Sequence, residues 1–300
     1  MSRTEDHQET TSAKEQRQQH SAGRRQFLQQ LGALAAAPAL ASTAHAEGRV
    51  NPPAIFSLEG GNYRYVPAGS VFCAGVLPDE GYEVVHAILH PRLPLALGYK
   101  FIEGYLKNLA RPIQALCGME LQVPAQMTFD AFRTFNAPYV QQLDQWGLIG
   151  GRYSAVCRTN VVPAIDAPSE AVVHAFSYVA PAIGNSVTFC VSGTADIDQR
   201  GKVVAEGETS PSAMKKKLEF VLGVIGNRLA EMELDWSSAT HVDLYLTADI
   251  PGLWGSTILP AIGPAGASGV RLHYARPPIV GAEVELEARG LAQELVLRTA

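Results

Sequence analysis

Three glutamates near the C-terminus, Glu283, Glu285 and Glu287, alternate with Val284, Leu286 and Ala288. Successive side chains of an extended strand point to opposite faces, so this spacing sets three carboxylates on one side. Such a row either positions water and moves protons or is a solvated strand face. Basic groups stand nearby: Arg271 and His273 alternate onto one side of a strand, where they can bind an anion, and Arg276 precedes the rigid Pro277-Pro278 turn. Another arginine, Arg158, sits in the segment Cys157-Arg-Thr-Asn-Val161. A guanidinium offers a carboxylate two parallel N–H donors, a geometry lysine does not match. The plain alternative for Arg158 is an exposed strand arginine.

Other chemistries find less support. Cys73, Cys117, Cys157 and Cys190 show no C-x-x-C spacing and lie in apolar segments, as buried thiols do. His86 and His90 have no third ligand nearby, so no metal site is expected. Ser192 and Ser154 lack a base partner, and Gly60-Gly61 and Gly150-Gly151 read as turns with no phosphate-loop fingerprint. A net charge of −5 argues against nucleic-acid binding. No window reaches the roughly 20 apolar residues of a membrane span, and 47% hydrophobic content over 300 residues is ample for one large or two ordinary domains.

The N-terminus is a separate object. Residues 1–23 are polar and lack the apolar surface needed to fold. Gly23-Arg24-Arg25-Gln26-Phe27-Leu28, an Ala/Leu run to Ala41 and the small-x-small site Ala44-His45-Ala46 follow in the order of a twin-arginine export signal, which they resemble. Cleavage would leave Glu47 first, in a periplasmic or exported protein delivered by the twin-arginine machinery. A chance arginine pair, or a start placed too far upstream, would leave the protein cytoplasmic.

The elements that must carry these residues repeat. In the second half an apolar strand, Val187–Gly193, precedes a polar turn, a short strand Lys202–Ala205 and a helix Pro211–Met232. The strand Thr240–Thr247, a shorter helix from about Ile250, and strands Val270–Arg276 and Ala282–Glu287 complete it. In the first half Ser70–Gly75 mirrors Val187–Gly193, and Tyr82–Leu89 reads as the next strand. Pro94 starts a helix with Leu97, Phe101, Tyr105 and Leu109 at helical spacing. Ile113–Leu121 reads as a strand, Thr128 caps a helix to about Trp146, and Tyr153–Val161 and Ala171–Phe176 close the copy. The small-residue segment Val179-Ala-Pro181 sets the division: 1–46 tail and signal, 47–179 first domain, 180–300 second domain.

This order, the Val191-Ser-Gly-Thr194 turn and the terminal Val284-Glu-Leu-Glu287 resemble the reactive-intermediate deaminase (Rid, YjgF-like) superfamily. Arg111–Cys117, Phe135-Asn136, Ala155–Val161, His174–Tyr178 and Tyr274–Pro278 resemble its tandem-domain subgroup associated with 2-aminomuconate-type deaminases. The resemblance implies an α/β (α+β) fold of two chorismate-mutase-like domains, each a mixed sheet with helices on one face. It implies hydrolysis of an enamine or imine of a small carboxylate with release of ammonia, without metal or organic cofactor. It also implies a homo-oligomer, with a trimer favoured.

By the same resemblance Arg158 anchors the substrate carboxylate and Glu285 positions water. Asn136 lines the cleft or caps a helix, and Arg271, His273 and Arg276 contribute to binding. Each half departs from the family pattern. The first offers only Glu170 and His174 where a glutamate is expected, and the second places the arginine position near Gly269, two residues from Arg271. A composite site, Arg158 from one domain and Glu285 from a neighbouring one, reconciles them. Two alternatives stay open: an exported, non-catalytic carboxylate-binding protein, and a chorismatase-like hydrolase suggested by Ser192-Gly-Thr-Ala195.

Overall fold

In the computed structural model, which describes residues 55–299, three short strands, β1 (Phe56–Leu58), β2 (Tyr63–Val66) and β3 (Gly75–Pro78), lead into the long β4 (Tyr82–Pro94). The export-like segment lies outside the described residues. Next come α1 (Leu95–Asn108), β5 (Leu116–Gln122), α2 (Phe129–Gln145), a small hairpin β6 (Ile149–Gly150) and β7 (Tyr153–Ser154), then β8 (Cys157–Pro163) and β9 (Val172–Pro181). The remainder holds β10 (Phe189–Val191), β11 (Thr194–Ala195), α3 (Pro211–Glu231), β12 (His241–Tyr245), α4 (Leu259–Ile262), β13 (Arg271–His273), β14 (Ala275–Arg276), β15 (Glu285–Gly290) and β16 (Gln293–Arg298). The architecture is mixed α+β.

Two sheets form, ordered β1-β2-β3-β10-β15-β12-β13, with β11 also on β15, and β14-β8-β5-β9-β4-β16. Their cores share one plan. In β4-α1-β5-α2-β8-β9 the helix-linked β5 and β8 are parallel, and β9 runs antiparallel between β5 and β4. In β10-α3-β12-α4-β13-β15, β12 and β13 are parallel and β15 runs antiparallel between β12 and β10. The chain ends cross over: β3 pairs with β10, and β16 pairs in parallel with β4. The boundary expected near residue 179 falls inside β9.

Helices cover one face of each core. On α3, Met214, Leu218, Val221, Ile225 and Leu229 are fully buried against β10, β12 and β15, each contributing ~1.5–3 kcal/mol. Ser210 caps this helix by accepting the Ala213 N–H, and Pro211 follows at its first turn. Thr128 caps α2 in the same way. The expected α1 stripe is shifted by one residue. Ile102 and Leu106 are buried, whereas Leu97 and Leu109 are exposed. Gly98 sets that rotation, because a Cβ there would lie 2.5 Å from Val173 Cγ2, so the helix packs on β9 along its glycine side.

The opposite faces of the sheets meet. Gly118 of β5 lies under Cys190 of β10, and Cys157 donates to the Cys190 carbonyl at 3.3 Å. All four cysteines are buried free thiols in this seam, with Cys73 and Cys157 sulfurs 3.6 Å apart. Further along, the seam turns polar: Arg289 reaches Glu120 and Asp243, and Thr159 reaches Glu287.

Several strand expectations are corrected. Ser70–Ala74 is not a strand, and β4 occupies the place in its core that β10 holds in the other. Lys202–Ala205 forms only the Ile197–Val203 bridge, because Asp196 and Asp198 fold it back as a loop. The helix near Ile250 is broken into a π turn, the four-residue α4 and a 3₁₀ run that includes Pro264.

Candidate functional site

Arg158 and Glu285, 127 positions apart in sequence, line one cavity where the first part of β8, ahead of its pairing with β14, meets the turn after β10. The junction is stitched by the backbone: Arg158 N–H donates to Ser192 Oγ at 2.9 Å, and Gly193 N–H donates to the Arg158 carbonyl at 3.2 Å. Ser192 Oγ in turn donates to the Cys73 carbonyl at 2.6 Å, fixing the turn from below. Gly193 is required here for space. A Cβ would lie 2.6 Å from Glu285 Oε1 and 2.7 Å from Thr159 Oγ1.

The Arg158 side chain is 5% exposed. Its Nη1 donates to Asn136 Oδ1 of α2 at 2.6 Å, and its guanidinium lies 5.3 and 5.0 Å from the Phe132 and Tyr139 ring centres. Asn136 therefore orients the arginine and caps nothing, since α2 starts at Phe129. Glu285, 4% exposed, receives the Asn160 backbone N–H. Burial, with Glu287 beside it, pushes its carboxyl up to about 8, so it holds a proton at neutral pH. Glu287 accepts from Tyr245 OH at 2.6 Å, from Thr159 Oγ1 and from Arg289. Glu285 and Glu287 are thus buried on one face, as their alternation predicts; Glu283 is partly buried and pairs with Arg276 at 3.1 Å.

Apolar walls come from Phe72, Phe129, Phe132, Ile197 and Ile279. The cavity holds about 690 Å³ of non-atom space, the open solvent at its mouth included. Arg228 and Asn160 are two of the polar side chains lining it that were not singled out from sequence. Arg228 of α3 is 4% exposed, and Asn160 of β8 is 3% exposed with neither amide atom hydrogen-bonded. The signal for Arg228 was present: it continues the apolar stripe Val221, Ile225 on α3, where an arginine has no reason to be unless it meets something polar.

The remaining candidates lie elsewhere. His273 Nε2 donates to Asp243 Oδ1 at 2.7 Å, and the ring stacks on Tyr245 at 4.4 Å and lines a second, polar cavity with Arg92, Glu120 and His174. Burial, then His273, pushes His174 down to about 4. Arg271 makes a two-pronged pair with Glu294 of β16 at 3.0 and 3.1 Å. Arg276 bonds Thr247 Oγ1 at 2.9 Å on the surface. Arg158, Glu285 and Asn136 come together; Arg271, His273 and Arg276 do not join them.

A sequence model of the family described as "2-aminomuconate deaminase CnbZ" matches residues 55–295. A 2-amino-5-chloromuconate deaminase from Comamonas testosteroni is 33% identical over 253 residues, covering 82% of this chain and 100% of that protein. Among solved structures, a chorismatase aligns with a TM-score of 0.42 and 14% identity over 73% of this chain and 77% of its own. A structure of YEO7 from yeast aligns with a TM-score of 0.27 and 22% identity over 43% and 90%.

Proposed function

This chain belongs to the 2-aminomuconate deaminase family, and we propose that it deaminates a 2-aminomuconate-like enamine in the cavity shared by Arg158 and Glu285. Family membership makes it a deaminase of this kind, acting on a C–N bond. The observation that supports the site is the convergence of a buried arginine from one half and a buried glutamate from the other on one apolar-walled cavity.

Arg158, pointed by Asn136, grips a substrate carboxylate. The Glu285 carboxyl protonates the enamine carbon, giving an iminium ion, and its carboxylate then positions water and takes one proton from it. The new C–O bond forms as the C=N π pair returns to nitrogen. The carboxyl next protonates the amine of the carbinolamine, the C–N bond breaks, and ammonia leaves as the hydroxyl proton returns to Glu285. Enamine and water give ketone and ammonia, with the glutamic acid regenerated.

The shared plan of the two cores supports reading the chain as two copies of one module with exchanged terminal strands. Export by the twin-arginine route and assembly as a trimer remain part of this proposal.

The test is ammonia release by residues 47–300 from 2-aminomuconate and from a dehydroalanine-type enamine. Release from 2-aminomuconate supports the deaminase. Saturable carboxylate binding with no ammonia from either substrate would replace it with a non-catalytic binding protein.

A further inference from the structure

The cavity has an unbalanced charge. Arg158 and Arg228 both line it, both are at least nine-tenths buried, and neither has a carboxylate oxygen at ion-pair distance among the described residues. Other arginines of the fold do: Arg289 meets Glu120, Asp243 and Glu287, Arg271 meets Glu294, and Arg276 meets Glu283. Of the carboxyls lining the cavity, Glu285 holds its proton, and Asp198 spends Oδ1 on the Arg200 and Lys202 N–H groups of its own loop. A buried cation with no counter-charge is costly unless something supplies one.

Arg228 is also under-used as a donor. Its Nη1 is bonded to the Ser192 carbonyl at 2.6 Å, which holds the guanidinium in place, but its Nε is buried with no partner. Asn160, which lines the same cavity, leaves both an amide donor and an acceptor unbonded. Unsatisfied buried polar atoms on residues lining one cavity mark it as a place for a ligand's polar group.

Resting on the deaminase reading, we propose that Arg228 is a specificity-determining residue: it receives the second carboxylate of a dicarboxylate substrate whose first carboxylate is held by Arg158. The apolar lining of the same cavity, Phe72, Phe132 and Ile279 among it, suits the unsaturated carbon chain. Asn160 completes the polar end. The cavity then selects dianions of fixed length over monocarboxylate enamines.

The test uses two non-reactive probes, muconate (a hexadienedioate) and sorbate, its monocarboxylate counterpart, with binding followed by calorimetry. The wild-type chain prefers muconate by about 10- to 100-fold, the worth of one charge-assisted hydrogen-bonded contact. Arg228→Met collapses that preference to near unity, mainly by weakening muconate. Arg228→Lys, which keeps the charge and secures the test should the Met variant not fold, retains only part of it. Arg158→Ala weakens both probes. Equal weakening of both probes by the Arg228 variants would make Arg228 only a brace for the Ser192 turn and overturn the proposal, as would an unchanged preference. Ammonia release measured on the same preparations separates the two readings. An Arg228-dependent preference without ammonia defeats the deaminase alone, whereas ammonia with an Arg228-independent preference defeats this inference alone.

Discussion

Replacing Glu285 by Gln should abolish turnover while making the protein more stable, and the gain should grow with pH. Glu285 is 4% exposed, and burial raises its carboxyl from 4.5 to about 8. A carboxyl raised on folding favours the folded state below the unfolded value, near 4.5, and loses that advantage as pH rises through the folded value, near 8. Each unit between the two is worth about 1.4 kcal/mol. The ionisable side chain therefore costs about 1 kcal/mol at pH 5, about 3 at pH 7 and between about 4 and 5 at pH 8.5. Gln keeps the shape, still accepts from Asn160, and has no proton to lose. Urea denaturation of both proteins at pH 5, 7 and 8.5 measures the difference, which corresponds to roughly 6–12 °C in Tm at neutral pH. A gain that does not change with pH would refute the buried, protonated Glu285, and with it the acid assigned to the reaction.

Three further outcomes follow from the same geometry. Gly193→Ala forces a Cβ onto Glu285 Oε1 and Thr159 Oγ1; it should cost ~1–3 kcal/mol by denaturation and lower turnover by displacing Glu285, and a variant that is wild type in both respects contradicts the close approach. Lys217→Met leaves Asp196 buried without its 2.7 Å partner, so chemical denaturation should show a loss of ~3–5 kcal/mol; a loss below about 1 would mean the pair contributes little. Arg158→Lys keeps the charge but not the two-pronged donor set or the Asn136 bond, and should raise KM for 2-aminomuconate at least about tenfold; an unchanged KM removes Arg158 from carboxylate binding.

The sequence carried the two ends of this site for different reasons. Glu285 was legible because strand alternation is local, and Glu283, Glu285 and Glu287 stand out against Val284, Leu286 and Ala288. Arg158 was legible through the resemblance of Cys157–Val161 to a family segment, but not its burial, which depends on α2 bringing Phe132, Asn136 and Tyr139 over it. The convergence of the two depends on β8 meeting the Ser192-Gly193 turn, a contact between halves that no short window encodes. Arg271 and His273 looked equally suited to an anion, yet Glu294 already pairs with Arg271 and Asp243 accepts from His273, from strands 23 and 30 positions away. The same limit hid β16, whose parallel partner β4 lies about two hundred residues earlier, and the α1 stripe, which Gly98 rotates by one position.

The most direct measurement is ammonia released from 2-aminomuconate at pH 7 by the wild-type chain, Arg158→Ala and Glu285→Gln, each verified as folded by circular dichroism. The account predicts release by the wild type and a fall of at least about a hundredfold in both variants. Release that survives both substitutions would place the chemistry outside this cavity and contradict the account.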